Sequence, residues 1–324
     1  MKLQQLKYLI AIKNHGLNIT SASKSVFSAQ PGISKQISLL ESELGVRIFE
    51  RKGKHLQSIT PIGMKIIKEA EELLRIEQKI KTISQDYLDP DRGCLNIFTT
   101  NTIAKYLMPH AVSRFVNKYP QVSFHLSPAF LNSAGSQINK GESDFSIVAQ
   151  VVQKEKDLII LPAYKWTLSL MVPKDHPLND GRIITLEDLC NFPIISYEEG
   201  ATGRESQDAA FLKSGLTPNY FMTVMDIEVI KRYVELGLGI GIIATIATHH
   251  MDEKNMASIP LDHLFSPSDA WLCFSKNIFL RNYMYDFIED FLPHLTKEVM
   301  EKVSLGLNED EMNAICNDFK LETY

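Results

Sequence analysis

The chain has 324 residues, 44% hydrophobic and 23% charged, with a formal net charge of −5, which suits two or three soluble domains with real cores. It holds no run of about 18 uncharged apolar residues, so no segment reads as a membrane span. Its first residues, MKLQQLKYLIAIKNHG, read as an amphipathic helix without the apolar core of a signal peptide. Cys94, Cys190, Cys273 and Cys316 are scattered, with no CxxC pair and no close His, which disfavours both disulfides and zinc and points to a reducing, cytoplasmic setting.

In chain order, Leu3, Leu6, Leu9 and Ile10 give the first helix a buried face. Residues 19–38, ITSASKSVFSAQPGISKQIS, read as helix, turn, helix. Ile19, Ala22 and Val26 have helical spacing, Phe27 begins the turn, Ser28 suits an N-cap, and Pro31 is tolerated in a first turn. In the second helix Ile33, Ile37 and Leu40 form the buried stripe, which leaves Gln30, Ser34, Lys35 and Ser38 on another face. Amide, hydroxyl and ammonium groups without an acid are those that read base edges and hold phosphates in a major groove. A solvated polar face would look the same in isolation. The charge balance separates the two: residues 1–58 carry nine Lys/Arg against three Glu, net +6, in a chain that is acidic overall. A basic head on an acidic body is the footprint of a duplex binder. Arg51, Lys52 and Lys54 flank Gly53 in a loop that reads as a wing for the DNA backbone or minor groove.

Thr60 and Pro61 start a helix that runs from Ile62 to about Tyr87, with Ile66, Ala70, Leu73, Leu74, Ile80 and Ile83 as its apolar stripe. That face either packs on its own body or pairs with a second subunit, which would place two heads on two half-sites. Asp89-Pro90-Asp91-Arg92-Gly93 reads as a hinge. Strands are then expected at 95–98, 122–126, 145–148, 193–197, 221–224 and 239–244, alternating with helices at 104–118, 133–140, 185–190, 203–214 and 226–236. This predicts an α/β body with mainly parallel sheets. The chain is expected to cross between two lobes near Ala163-Tyr164 and to return near Ser266-Asp269, with a ligand cleft between them. Residues 294–324, with seven acids and three bases, read as one or two short helices with solvated ends.

Two places in the body suit an anionic or zwitterionic ligand. Thr99-Thr100-Asn101-Thr102 and Gly200-Ala201-Thr202-Gly203-Arg204 each precede a helix, whose first N–H groups and dipole attract anions. Plain N-capping explains either alone. Arg204 could hold a ligand carboxylate or pair with Glu205 or Asp208. An enzyme is disfavoured: His249 and His250 are adjacent and cannot share a metal from one helix face, no GxSxG elbow occurs, and the glycines of LGLGIGIIA follow a helix and enter a strand, the reverse of a dinucleotide fingerprint. A solute-binding protein would explain the body but not the basic head.

The run QPGISKQISLLESELGVRIFERKGKHLQSITPIG closely resembles the signature of LysR-type transcriptional regulators. KLQQLKYL, the TTNT run at 99–102, ATGRES at 201–206 and FLRNYMYDFIEDFLPHLT at 279–296 are similar to the CysB/Cbl branch of that family, over nearly the full length. The resemblance implies a DNA-binding regulator of sulfur assimilation and cysteine synthesis, without a cofactor and without catalysis. It implies an α+β multidomain chain: a winged helix-turn-helix at 1–59, a linker and dimerisation helix at 60–88, and a two-lobed α/β effector domain resembling periplasmic binding proteins. Lobe I would be 89–163 with 268–295, lobe II 164–267, and an acidic tail 296–324. Gln30, Pro31, Ser34, Lys35, Ser38, Arg51, Lys52 and Lys54 would meet promoter DNA. Homodimers would join through the linker helix into a dimer of dimers, and contact with RNA polymerase is allowed. The effector would be an acetylserine-type molecule or a sulfur oxyanion, at Thr100, Asn101, Thr102, Ile103, Ala149, Tyr164, Trp166, Thr202 and Gly203. Ile103 and Ala149 depart from the branch's pattern, which has Gln and Thr there; the change removes two polar partners and makes the cleft more apolar.

Overall fold

The computed structural model describes residues 1–53, 55–128, 138, 143–149, 157–252 and 254–324. Lys54 and, apart from Ile138, the helix expected over 133–140 lie outside the described residues. The chain divides between Leu88 and Asp89 into two units.

The first unit is built from α1 (Leu3–Asn14), α2 (Ile19–Ser25), α3 (Gln30–Leu44), the hairpin β1 (Phe49–Lys52) and β2 (His55–Ile59), and α4 (Pro61–Leu88). Leu6, Leu9, Ile12, Ala22, Ile33, Ile37, Leu40, Ile48 and Phe49 form its core. Leu3 is 41% exposed and Ile10 only partly buried, so the buried stripe of α1 runs through Leu6, Leu9 and Ile12. Asn18 caps α2, its side chain accepting from the Ser21 N–H at 3.0 Å. Ser28 does not cap α3. Its N–H donates to Ser23 O at 3.0 Å while Phe27 N–H reaches Lys24 O, a Schellman closure of α2. Ser28 therefore finishes one helix, and the next begins with Ala29 in the N-cap position, without a side-chain bond. Phe27 takes the left-handed residue of this closure at φ +48 and is 98% exposed. The Thr60 hydroxyl accepts from the Gly63 N–H at 2.9 Å, and Pro61 opens α4 where its missing N–H costs nothing. Near its start α4 buries Ile67 and Ala70; further on Leu73, Ile76, Ile80 and Ile83 are exposed within the single chain.

The second unit holds two five-stranded sheets. Lobe I contains β3 (Arg92–Thr99), β4 (Gln121–Pro128), β5 (Phe145–Val148), β6 (Leu158–Trp166) and β12 (Ser268–Ser275), in the order β4-β3-β5-β12-β6. Lobe II contains β7 (Leu168–Pro173), β8 (Ile194–Tyr197), β9 (Tyr220–Val224), β10 (Ile240–Ala244) and β11 (Met256–Pro260), in the order β11-β7-β10-β8-β9. Helix α5 (Pro109–Lys118) follows β3. α6 (Leu186–Cys190), α7 (Thr202–Lys213) and α8 (Ile227–Glu235) belong to lobe II, and α9 (Asn282–Phe291) follows β12.

Three expectations are corrected here. The sheets are mixed, not mainly parallel: β12 runs antiparallel to β5 and β6, and β7 antiparallel to β10 and β11, because the strands that carry the chain between lobes enter against the direction of their neighbours. The crossing lies at Thr167, between β6 and β7, not at Ala163-Tyr164; Lys165 and Trp166 still pair with Asp269 and Ser268 of lobe I. The return at β12 falls within the expected residues. The helix expected over 104–118 is split, with residues Ile103–Leu107 in a π turn before α5 starts at Pro109.

The acidic tail is also part of the body. α10 (Lys297–Ser304) buries Met300 and Val303 in the main core, α11 (Glu309–Asn317) comes next, and Thr323 pairs in parallel with Lys165. Thr167 N–H donates to Tyr324 O at 2.7 Å, and the Tyr324 ring meets Tyr164 edge-on at 5.3 Å. Its charges are solvated, while Met300 and Val303 anchor it to the core.

Candidate functional site

In the first unit Ile33, Ile37 and Leu40 are at most 1% exposed and fix the roll of α3. That roll leaves Gln30, Pro31, Lys35 and Ser38 exposed and Ser34 partly so. The α3 N-terminus has no side-chain cap, which leaves early N–H groups free for a phosphate. The wing hairpin pairs Lys52 with His55 around Gly53 at φ +63. Its base is tied to α3 by one carboxylate: Glu41 Oε1 accepts from Ile48 N–H at 2.8 Å and Phe49 N–H at 3.0 Å, and Oε2 lies 3.4 Å from Arg51 Nη2. Arg51 is thus oriented by an acid while it stays at the surface.

In the second unit a cavity of about 290 Å3 opens between the lobes. All nine residues expected to hold an effector line it. Lobe I supplies Thr100, Asn101, Thr102 and Ile103 from the end of β3 and Ala149 from the end of β5, outside carboxyl ends of strands as a switch-point cleft requires. Thr99, 2% exposed, anchors this end by donating its hydroxyl to Ile147 O at 2.7 Å. Tyr164 and Trp166 come from the last residues of β6 before the crossing.

Lobe II supplies Thr202 and Gly203 at the start of α7, after Gly200 at φ +86. Gly203 is dictated by space: a Cβ there would lie 2.8 Å from the Tyr197 ring and 3.3 Å from Trp166. Arg204 does not enter the cavity. It is held by Asp208 at 2.8 Å, donates to Tyr197 O at 3.3 Å and lies 3.5 Å above the Tyr220 ring, which resolves its alternatives in favour of Asp208. Burial pushes the Tyr164 and Tyr197 hydroxyls up, so both stay neutral. Tyr197 accepts from Ala244 N–H at 2.9 Å. The Trp166 Nε1–H is buried with no acceptor among the described residues, a donor whose desolvation costs about 1–3 kcal/mol until something accepts from it.

Sequence reasoning missed the apolar wall, which includes Leu107, Met225, Ile227 and Ile246, and it missed Glu198 at the cavity. No Lys or Arg is among the described lining residues. Also missed is a charged bridge between lobes beside the cleft. Tyr106 donates to Glu228, Lys105 Nζ lies 2.7 Å from Glu228 Oε2, and Lys231 Nζ lies 3.1 Å from Tyr106 Oη and 3.5 Å from Glu228 Oε1. The two pairs, Lys105-Tyr106 and Glu228 with Lys231, are far apart in sequence and no motif joins them.

Residues 3–64 match the model described as "Bacterial regulatory helix-turn-helix protein, lysR family", and residues 89–296 match "LysR substrate binding domain". The chain belongs to the LysR family of transcriptional regulators. It is 42% identical to the HTH-type transcriptional regulator CysB of Haemophilus influenzae over 323 residues, which covers 100% of both chains. It is 32% identical to the HTH-type transcriptional regulator cbl of Escherichia coli K12, over 97% of this chain and 99% of that one. Among solved structures, the cofactor-binding domain of the Cbl transcriptional regulator superposes with a TM-score of 0.63 at 32% identity, over 67% of this chain and 95% of that domain. As a LysR regulator the protein binds DNA through the winged helix-turn-helix and carries a two-lobed α/β effector domain.

Proposed function

We propose that this LysR regulator controls genes of sulfur assimilation and cysteine synthesis in the cytoplasm, and that a small molecule bound in the interlobe cleft sets its activity. The full-length similarity to CysB carries the sulfur reading. The convergence of Thr100, Thr102 and Thr202 on one cavity supports an acetylserine-type molecule or a sulfur oxyanion as the effector. The DNA contacts are Gln30, Pro31, Ser34, Lys35 and Ser38 of α3 in the major groove, with Arg51 and the wing, Lys52 and Lys54 included, on the backbone or minor groove. The exposed stripe of α4 pairs two subunits, two dimers assemble on one promoter, and RNA polymerase is the onward partner. The effector acts by binding two assembly states with unequal affinity; equal affinity would shift nothing.

A second reading rests on Ile103, 2% exposed at the cavity wall, and on Ala149. Where a Gln and a Thr would donate to an oxyanion, these side chains cannot, and each lost bond costs about 0.5–1.5 kcal/mol. On this reading the protein responds to a larger, less polar molecule.

Calorimetric titration with O-acetylserine, N-acetylserine, sulfate and thiosulfate in sulfate-free buffer decides between them. Binding by any of the four that is lost in Thr102→Ala supports the sulfur reading. No heat from any, in protein that still shifts duplex DNA with a steep salt dependence, favours the less polar ligand.

A further inference from the structure

Where the chain leaves lobe I it runs between two other segments, and one of them is the tail. Lys165 of β6 pairs antiparallel with Asp269 of β12 on one side and parallel with Thr323 on the other. Three backbone bonds hold that outer edge. Lys165 N–H donates to Glu322 O at 2.8 Å, Tyr324 N–H to Lys165 O at 2.9 Å, and Thr167 N–H to Tyr324 O at 2.7 Å. Thr167 is the crossing residue itself, between β6 and β7. Its carbonyl accepts from Thr245 N–H of lobe II at 2.9 Å, and its hydroxyl donates to Thr245 Oγ1 at 2.8 Å. The tail therefore bonds on lobe I and on the one residue that carries the chain across.

The tail is also fixed to lobe I away from the crossing. α10 buries Met300 and Val303, the Phe319 ring meets His294 edge-on at 4.9 Å, and His294 Nε2 donates to Pro162 O at 2.9 Å. All of this lies past residue 296, where the family match ends. At its far end the Tyr324 ring packs on Tyr164, which lines the cavity, as does Trp166 two residues on. Tyr324 is not itself among the lining residues, so it acts on the cavity through Tyr164.

A hinge is a short stretch of backbone that absorbs a change in φ and ψ, and a strand with a free outer edge absorbs it most easily. Here that edge is taken. We propose that residues 322–324 brace the interlobe crossing by strand addition, and that Tyr324 is a positioning residue that holds Tyr164, and with it Trp166, in the cavity wall. Lobe movement at Thr167 then has to carry or break the tail's bonds, so the tail sets how easily the cleft opens. The consequence for effector binding rests on the reading of the cleft as the effector site; the brace does not.

The chain has two tryptophans, so Trp271→Phe leaves Trp166, 7% exposed, as the sole indole reporter of the cavity wall. In that background acrylamide quenching is compared among the full chain, Tyr324→Ala, Tyr324→Phe and a chain lacking residues 322–324, with circular dichroism and thermal melts confirming that each is folded. Quenching of Trp166 should rise about twofold or more in Tyr324→Ala and in the shortened chain, and stay unchanged in Tyr324→Phe, which keeps the ring. Unchanged quenching in Tyr324→Ala and in the shortened chain overturns the brace. A rise in Tyr324→Phe equal to that in Tyr324→Ala overturns the role of the ring. Tyr324→Ala keeps the backbone bonds and decides alone if the shortened chain does not fold. Calorimetric titration of the same proteins with O-acetylserine and N-acetylserine reads the consequence. A probe that binds the full chain should bind Tyr324→Ala about tenfold more weakly and Tyr324→Phe equally well. An affinity indifferent to Tyr324→Ala overturns the positioning role. No binding of either probe to the full chain counts against the reading of the cleft, and quenching still decides the brace.

Discussion

The ammonium of Lys231, only 6% exposed, lies 3.1 Å from the hydroxyl of Tyr106 on the opposite lobe. Glu228, one turn earlier on α8, supplies the counter-charge, and Ala247 O accepts from Lys231 at 3.3 Å. Residues Asn101 and Ile227 line both the effector cavity and the hollow beside this bridge. Glu228→Ala removes a carboxylate that Lys231 and Tyr106 share. It should lower unfolding stability by about 1–3 kcal/mol, the usual cost of stranding a buried polar or charged group, as read from the urea midpoint.

Acid should act through the same carboxylate. Burial pushes Glu228 up, but hydrogen bonds from Lys105 and Tyr106 and the charge of Lys231 outweigh it and hold the carboxyl below its ordinary value of 4.5. A lowered folded value means that the contribution is complete above the ordinary value and is lost as pH falls through the folded one. The difference in Tm between the unmodified protein and Glu228→Gln should therefore be constant near neutrality and shrink below pH 4.5. A difference that grows on acidification would contradict this.

Phe27 combines a left-handed backbone with 98% exposure, so it bears strain without visible packing in return. A side chain with a Cβ costs about 1–2 kcal/mol in that region, and Asn bears it more easily. Phe27→Asn should raise stability by up to about 1 kcal/mol. Thermal melts check this, and a drop in Tm would mean that the ring makes contacts the single chain does not contain.

Gly203→Ala places a methyl against Tyr197 and Trp166. Overpacking of this kind costs about 1–3 kcal/mol, and here it also displaces two rings of the cavity wall. Effector binding should weaken at least tenfold by calorimetry while duplex binding by the head persists.

Ile80, 63% exposed, and Ile83, 44% exposed, belong to the stripe proposed to pair subunits. Ile80→Glu sets charge against charge across such a pairing and should shift the protein toward monomer in sedimentation. An unchanged assembly would remove this stretch of α4 from the interface.

The head was legible because helical spacing and charge point the same way there: Ile33, Ile37 and Leu40 leave one direction for Gln30 and Lys35. The cavity residues were legible as two strand-to-helix junctions joined by a family resemblance. Four strands of the second unit were not. LIILPAYKW and LSLMVP are buried on both faces, and a continuous apolar run lacks the alternation that marks a strand. β11 and β12 also went unread, and with them the antiparallel half of each sheet. Ser28 misled because it is a good cap on composition, but it closes α2, its hydroxyl meets that of Tyr8 at 3.1 Å, and α3 has its N-cap one residue later at Ala29. Glu198 carried no signal, since a carboxylate at a loop becomes meaningful only when the fold turns it toward a cavity.

The π turn at Ile103–Leu107 sets where Lys105 and Tyr106 stand relative to the threonines before it. Met108 N–H bonds to Ile103 O at 3.1 Å, five residues back, so the turn holds one residue more than an α turn would. Removing a single residue after Ile103 would restore α geometry and rotate the downstream residues by about 100° about the helix axis. Thr100 and Thr102 precede the deletion and would keep their places. Lys105 and Tyr106 would swing away from Glu228. A deletion of one residue would thereby break the interlobe bridge and shift Leu107 in the cavity wall, while the hydroxyls of Thr100 and Thr102 stayed in place.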